Sequence, residues 1–307
     1  MDLTLIAQQV VNALTLGSIY ALIALGYTMV YGIIELINFA HGDVFMVGSF
    51  VAYFLIVQLG FSGPIANPIE LAGVMLFVFV ATMLIMGVVG VVIERFAYRP
   101  LRHAPRLAPL ITAIGVSFIL ENVAQIIFGS APVVVPQLID ITSAVTVGGV
   151  AVKYTSIFIV VITLALMLAL SFFVNGTNIG RAMRSTAQDR EAAQLMGVDI
   201  NTTIAVTFFI GSALAGAAGV VQGLYFGTTF FIIGFQAGLK AFTAAVLGGI
   251  GNTTGAALGG FVIGFIEVFS TQAGYSNWSE AIVFSILILV LVFRPTGILG
   301  QQLAERA

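Results

Sequence analysis

The sequence contains no cysteine, one tryptophan and only two histidines, His41 and His103, in 307 residues. Without cysteine there is no disulfide framework, thiolate nucleophile or thiolate metal site, and two histidines cannot build a multi-histidine centre. Charge is also scarce. Asp, Glu, Lys and Arg make up 8% of the chain against 60% hydrophobic residues, whereas a water-soluble domain carries about 25% charged residues. With a mean hydropathy of +1.12, the composition excludes a soluble enzyme, a nucleic-acid-binding protein and a disordered scaffold. No G-x-x-x-x-G-K-[ST] string is present to cradle phosphates, and there is neither a G-x-S-x-G elbow nor an H-E-x-x-H pair. The Gly-rich run from Gly248 to Gly255 has no lysine and reads as a helix break rather than a nucleotide loop. What remains is a polytopic membrane protein with no catalytic residue, no metal and no cofactor of its own.

Nine apolar stretches are present. Residues 8–31, 43–60, 72–93, 107–128, 155–174 and 203–225 are each near the length needed to cross a ~30 Å hydrocarbon core. The last three, 236–250, 255–271 and 279–293, are shorter. The expected fold is all-α, a single transmembrane domain over residues 1–307 with about eight to ten transmembrane helices. Two segments read as broken or re-entrant, where polar and glycine residues interrupt apolar sequence at Asn38–Asp43 and Gly248–Gly255. Met1-Asp2-Leu3 lacks a basic region, so the first run reads as a span rather than a leader.

Basic residues divide unevenly between the loops. Arg95, Arg99, Arg102, Arg106, Arg181, Arg184, Arg190, Arg294 and Arg306 fall in alternate loops or the C-terminal tail, Lys153 alone lies opposite, and Lys240 is inside a segment. Short loops rich in Lys and Arg stay cytoplasmic. The bias therefore predicts a cytoplasmic C-terminus and an N-terminus outside. Glycines four apart, Gly219 with Gly223, Gly255 with Gly259 and Gly260 with Gly264, suit close helix approach within the chain or at a subunit interface.

The basic loop from Gly180 to Thr203 has the marks of a surface helix. Ser185 followed by Gln188 forms a capping-box pattern, residues 186–196 favour helix, and Gly197 offers the left-handed position that ends one. A helix this short is marginal alone in water and calls for a docking surface. Ala192, Ala193 and Met196 give it a small apolar face, and Asp189, Arg190 and Glu191 give it charge.

Glu191-Ala192-Ala193 with Gly197 resembles the EAA loop of ABC importer permeases, whose coupling helix inserts into a cleft of the cytoplasmic ATPase subunit. The later Ile-x-Leu-Pro part of that pattern is replaced here by Thr207-Phe208-Phe209-Ile210. The fuller string RAMRSTAQDREAAQLMG, together with Leu36–Asp43, Gly238–Gly260 and the Phe293–Gly297 tail, resembles permeases of the high-affinity branched-chain amino acid type. Relatives of that branch carry other neutral amino acids, urea or amides. The resemblance covers nearly the whole chain.

It implies a membrane subunit of an ATP-driven importer in a bacterial inner membrane, translocating branched-chain or other neutral amino acids inward. Implied partners are two cytoplasmic ATP-binding subunits that hold ATP and Mg²⁺, a second homologous permease, and a periplasmic or extracellular substrate-binding protein. Arg184, Asp189, Arg190, Glu191, Ala192, Ala193 and Gly197 would couple to the ATPase within a loop spanning residues 180–202, with the ATPase docked on the 185–197 helix.

Ionisable groups at membrane depth cost roughly 2.5–3.5 kcal/mol each on insertion scales and usually face a cavity or a partner. Glu35, His41, Asp43, Glu121, Lys240 and Glu267 fall in or beside apolar segments. Lys240 pairing with a carboxylate such as Glu121 is one reading. His41 either rests at a helix break or lines a path. Freed backbone groups at broken helices can address a zwitterion, which makes Asn38, His41, Gly42 and Asp43 in one half, and Gly248, Gly249, Gly251 and Asn252 in the other, the candidate translocation pathway. The alternative is an ATP-independent, proton-coupled carrier or channel using Glu35, Asp43 and Glu121. It would have no use for a docking helix.

The charge asymmetry gives a direct test. A Ser185→Cys variant is expected to react with impermeant thiol reagents from the cytoplasmic side alone, and Ser143→Cys from the outer side alone. Labelling of both from one side would overturn the assigned orientation.

Overall fold

The computed structural model describes residues 3–34, 38–102, 104–105, 107–140, 142–294 and 296–300. Glu35, His103, Arg106 and Arg306 lie outside the described residues. In chain order the elements are α1 (Leu3–Ile34), α2 (His41–Gln58), α3 (Pro68–Ile93), α4 (Leu107–Phe128), strands β1 (Val133–Val134), β2 (Ala144–Val147) and β3 (Val150–Lys153), α5 (Tyr154–Gly176), α6 (Asn178–Gln188), α7 (Arg190–Leu195), α8 (Ile200–Phe226), β4 (Thr228–Thr229), α9 (Ile233–Gly248), α10 (Thr253–Gln272) and α11 (Ser279–Phe293). Each of the nine apolar stretches is a helix. Eight of these are long and apolar enough to cross a membrane, α11 together with the turn at Ser276–Trp278 that leads into it, and α9, at 16 residues, is shorter.

Local chemistry sets several boundaries. Asn67 caps α3 by accepting from the Ile69 N–H at 3.0 Å with Pro68 in the first helical position. Asp199 caps α8 through the Asn201 and Thr202 N–H groups, and Gly227 ends it at φ +69°. The α3 helix runs on through a π-turn at Glu94–Tyr98 and a tighter turn at Arg99–Leu101.

The first helix is the axis of the fold. It is 32 residues long, about 48 Å at 1.5 Å per residue, and every residue from Thr15 to Val30 is buried. A helix apolar all round is one surrounded by others. Helices α8, α9 and α10 pack directly on it. Against α10 the backbones almost touch: a Cβ added at Gly264 would lie 2.5 Å from the Gly17 Cα, and one at Gly260 would collide with Ala21. The glycine pairs thus serve packing within the chain. Gly219 meets Gly48 and Ser49 of α2, and Gly259 meets Ala244 of α9.

Helices α4, α5 and α11 are peripheral, exposing Ile111 and Ile126, Leu168 and Phe172, and Ile288 and Val292 respectively. Side chains of this kind suit acyl tails. One end of the bundle carries the β2–β3 hairpin, turned by Gly148 and Gly149 at φ +58° and +86°. The side-chain amide of Gln8 in α1 holds it through a pair of hydrogen bonds with the Ala151 backbone, each at 3.0 Å. At the other end, Arg190 donates to the Ile33 carbonyl at 2.8 Å. The two ends of α1 therefore meet the loop of Lys153 and the loop of Arg190, on opposite sides of the bundle.

The α1–α10 contact predicts that Gly264→Val disrupts the bundle. Overpacking typically costs about 1–3 kcal/mol, and the clash here is with backbone, so the thermal midpoint in detergent should fall. Gly115→Val, where nothing lies within 4 Å of an added Cβ, should leave it near that of the parent.

Candidate functional site

The cytoplasmic-loop helix predicted over 186–196 is in fact two helices. Thr177 caps α6 by accepting from the Gly180 N–H at 3.0 Å, so Ser185 lies deep in a helix already running, and its carbonyl accepts from the Asp189 N–H at 3.0 Å. The Ser185–Gln188 capping box is not formed. Asp189 caps instead: its backbone is extended, at φ −157° and ψ 111°, and its carboxylate accepts from the N–H groups of Glu191 and Ala192 at 3.0 and 3.1 Å. Gly197 closes α7 at φ +85°, with its own N–H donating to Gln194 and that of Val198 to Ala193, both at 3.0 Å.

The apolar face of this loop also differs from the expected one. Ala193 is 4% exposed and points inward, whereas Leu195 and Met196 are 88% and 85% exposed. Ala192 is exposed, as is Glu191. Arg190 anchors α7 to the end of α1, and Arg184 donates to the Val174 carbonyl at the end of α5. The loop thus presents two large apolar side chains and the Glu191 carboxylate, beside the capping Asp189, from a base tied to two membrane helices. Nearby, Arg102 joins Glu94 in an ion pair and donates to Asn201 at 2.7 Å. Hydrogen bonds from the Thr202 side chain and backbone hold the Asp199 carboxyl below the usual carboxylate range.

The first break joins α1 to α2. Asn38 is buried and accepts from the Tyr98 hydroxyl at 2.9 Å. His41 is fully buried, its ring edge-on to Tyr27 with centroids 4.6 Å apart, and it sits against Gly26 of α1. Gly42 lets α2 meet α9, since an added Cβ would strike the Gly234 carbonyl and lie 3.0 Å from the Gly238 Cα. Asp43, 1% exposed, accepts from the Ser117 hydroxyl of α4.

The second break is the turn between α9 and α10. Gly249 and Gly251 have φ of +104° and +90°. Residues 296–300 pack on this turn: Ile298 and Leu299 donate to the carbonyls of Leu247 and Gly248 at 2.8 and 3.1 Å, and the Asn252 amide donates to Leu299 at 2.9 Å. Asn252 also caps α10 by accepting from the Gly255 N–H at 3.0 Å. Gly251 donates to the Thr28 hydroxyl at 2.9 Å.

Both breaks therefore rest on one stretch of α1, His41 at Gly26 and Gly251 at Thr28. Along α9, Gly42 lies on Gly234 and Gly238, and Gly249 ends the helix. A cavity of about 560 Å³ is lined by Tyr27, Phe39, Ser117, Glu121, Gly234 and Gln236 among others. None of the eight pathway candidates lines it, although Asp43 lies behind Ser117. Lys240 pairs not with Glu121 but with Glu267, at 2.7 Å, and more distantly with Glu280, at 3.6 Å. Tyr20 donates to the same Glu267 at 2.7 Å. Ser117, Gly234 and Gln236 escape a reading of the sequence, since in one dimension each is no more than a polar or small residue in an apolar run.

Seven membrane-length helices around an eighth that is buried at the centre, with a short helix among them and a helical surface loop, define a multi-pass membrane protein. The family model described as the permease component of branched-chain amino acid transport systems matches residues 9–292, and the chain belongs to that family. It is 45% identical over 302 residues to the high-affinity branched-chain amino acid transport system permease protein BraD of Pseudomonas aeruginosa, covering 97% of each chain. It is 43% identical over 304 residues to the LivH permease protein of Escherichia coli, again covering 97% of each. Identity to a probable branched-chain amino acid transport permease of Methanocaldococcus jannaschii is 26% over 311 residues, covering 94% of this chain and 91% of that one. No solved structure matches the chain.

Asp189→Ala should free the first N–H groups of α7. Loss of such a cap costs about 0.5–2 kcal/mol, and each 1.4 kcal/mol is about tenfold in an opening equilibrium. Amide exchange across Arg190–Leu195 is expected to accelerate by up to that order, with α5 and α8 unchanged.

Proposed function

We propose that this chain is the membrane-spanning permease subunit of an ATP-driven importer that moves branched-chain amino acids inward across a bacterial inner membrane. It carries no nucleotide site or cofactor of its own. Two cytoplasmic ATP-binding subunits, using ATP and Mg²⁺, supply the energy, a second homologous permease completes the membrane path, and an external binding protein delivers the solute. The C-terminus is cytoplasmic and the N-terminus outside, in keeping with the Arg-rich loops.

The observation that carries this reading is the α6–α7 loop. A stand-alone carrier gains nothing from holding Leu195 and Met196 in solvent on a capped and anchored helix. Exposed apolar side chains beside charge are what a docking surface needs, the apolar part supplying affinity and the carboxylate orientation. Because Arg190 hydrogen-bonds to α1 and Arg184 to the end of α5, movement of a docked ATPase passes into the two helices without a flexible link. The named solutes of the relatives support branched-chain amino acids as cargo.

Glu191→Lys inverts the docking charge, and Gly197→Val forces a β-branched residue into a left-handed turn. In proteoliposomes containing the whole importer, both variants are expected to lose substrate-stimulated ATP hydrolysis and uptake by at least about tenfold while still inserting into the membrane, the equivalent of roughly 1.4 kcal/mol. Unchanged stimulation in both would remove the coupling role.

A further inference from the structure

Between α1, α4 and α9 the membrane interior opens into the 560 Å³ cavity already described, well within the roughly 300–1,000 Å³ typical of small-molecule sites. Its walls are largely apolar, with Ile114, Phe118, Ile232 and Leu239 among them, and its polar groups are few. Ser117 and Glu121 stand four residues apart on α4, hence on one face and one turn apart.

These two groups are short of a cation. Glu121 has no hydrogen-bond or ion-pair partner among the described residues. Lys240, the single Lys or Arg in the nine apolar helices, is committed to Glu267 and Glu280. Behind Ser117 is a second carboxylate, Asp43, 1% exposed, whose Oδ1 is buried with no hydrogen-bond partner among the described residues. Because the Ser117 hydroxyl donates its proton to Asp43 Oδ2, its oxygen can act toward the cavity only as an acceptor. The α4 side of the cavity thus offers an acceptor and a negative charge, while Tyr27 and Gln236 bring a hydroxyl and an amide to its other walls.

We propose that this cavity holds the transported amino acid within the membrane, the α-ammonium group bound between the Glu121 carboxylate and the Ser117 hydroxyl and the branched side chain laid against Ile114, Phe118, Ile232 and Leu239. The assignment rests on the reading of the chain as an amino acid permease and adds the place and the chemistry of recognition. An ammonium group satisfies three acceptors at most and brings the charge the site lacks. The wall is apolar apart from Gln236 on α9, so selection there favours apolar solutes.

The absence of native cysteine permits a direct test. In nanodiscs containing the assembled importer, alkylation of a Leu239→Cys variant is measured with L-leucine, with isoamylamine, which keeps the ammonium and lacks the carboxylate, and with isocaproate, which keeps only the carboxylate. Leucine and isoamylamine are expected to slow labelling at least fivefold and isocaproate to leave it unchanged. Adding Glu121→Gln should abolish the protection. Equal rates under all three conditions would overturn the proposal, as would a thiol that fails to react even without ligand because lipid or the second permease fills the space. If the Glu121→Gln variant does not assemble, the parent Leu239→Cys protein still decides: a cationic methanethiosulfonate should react at least fivefold faster than an anionic one, and equal rates would overturn the assignment. Leucine uptake by an importer whose Leu239→Cys thiol is never protected would sink the site alone, whereas an intact importer without leucine uptake would sink the functional reading beneath it.

Discussion

The fold depends on how closely α1 and α10 approach. In lipid, apolar side chains gain nothing by exchanging acyl tails for one another, so helix association relies on van der Waals contact between backbones and on a few polar contacts. Gly17 against Gly264 and Ala21 against Gly260 supply that contact along the middle of α1, and the Tyr20–Glu267–Lys240 cluster ties the same pair of helices to α9. With α1 pinned there, α8 and α2 close around its remaining faces through further glycines, Gly211 on Gly26 and Gly219 on Gly48. Each of these positions is sterically full. The bundle therefore tolerates movement of α4, α5 and α11 at its edge far more readily than movement of any helix that touches α1 through such a contact.

That distinction shapes how a signal could cross the molecule. The α6–α7 loop hangs from α5 and is latched to the last turn of α1 by Arg190. One anchor is thus an edge helix and the other the fixed axis. A force on α7 would therefore meet the more buried helix at α1 and the more exposed one at α5.

Much of this is legible in the sequence, for a specific reason. Spans declare themselves by hydropathy because lipid forbids an unsatisfied backbone, and all nine apolar stretches are helical. Single-residue conformation is readable at Gly197, where a positive φ is needed and glycine is present. The start of the loop's helix is not, because Ser185 and Asp189 are both good caps, and only the start of α6 at Thr177, which leaves Ser185 no free N–H to serve, decides between them. The two breaks are readable as positions, and their shared contact with α1 comes only from the packing. Both touch one stretch of α1, His41 at Gly26 and Gly251 at Thr28, a meeting that no spacing in the sequence records. Lys240 illustrates the same limit, since composition alone allows Glu121 as its partner and the packing of α10 on α9 supplies Glu267 instead.

The fate of the intramembrane charges is the more instructive contrast. Lys240 is enclosed by Glu267, Glu280 and the Tyr20 ring, whose centroid lies 6.0 Å away, so its cost is offset within the chain and nothing further need bind. Asp43 is settled only in part. It stands in the first turn of α2 and beside Gly234 at the start of α9, where two sets of helix N–H dipoles favour negative charge, and Ser117 serves one of its oxygens. Two helix starts meet at this one carboxylate, and its Oδ1 is left with no hydrogen-bond partner among the described residues. A satisfied pair of the Lys240 kind holds helices together, whereas a carboxylate held by dipoles and one hydroxyl keeps its capacity for a mobile positive charge. The chain uses the first arrangement between α9 and α10 and the second between α2 and α4, beside the cavity.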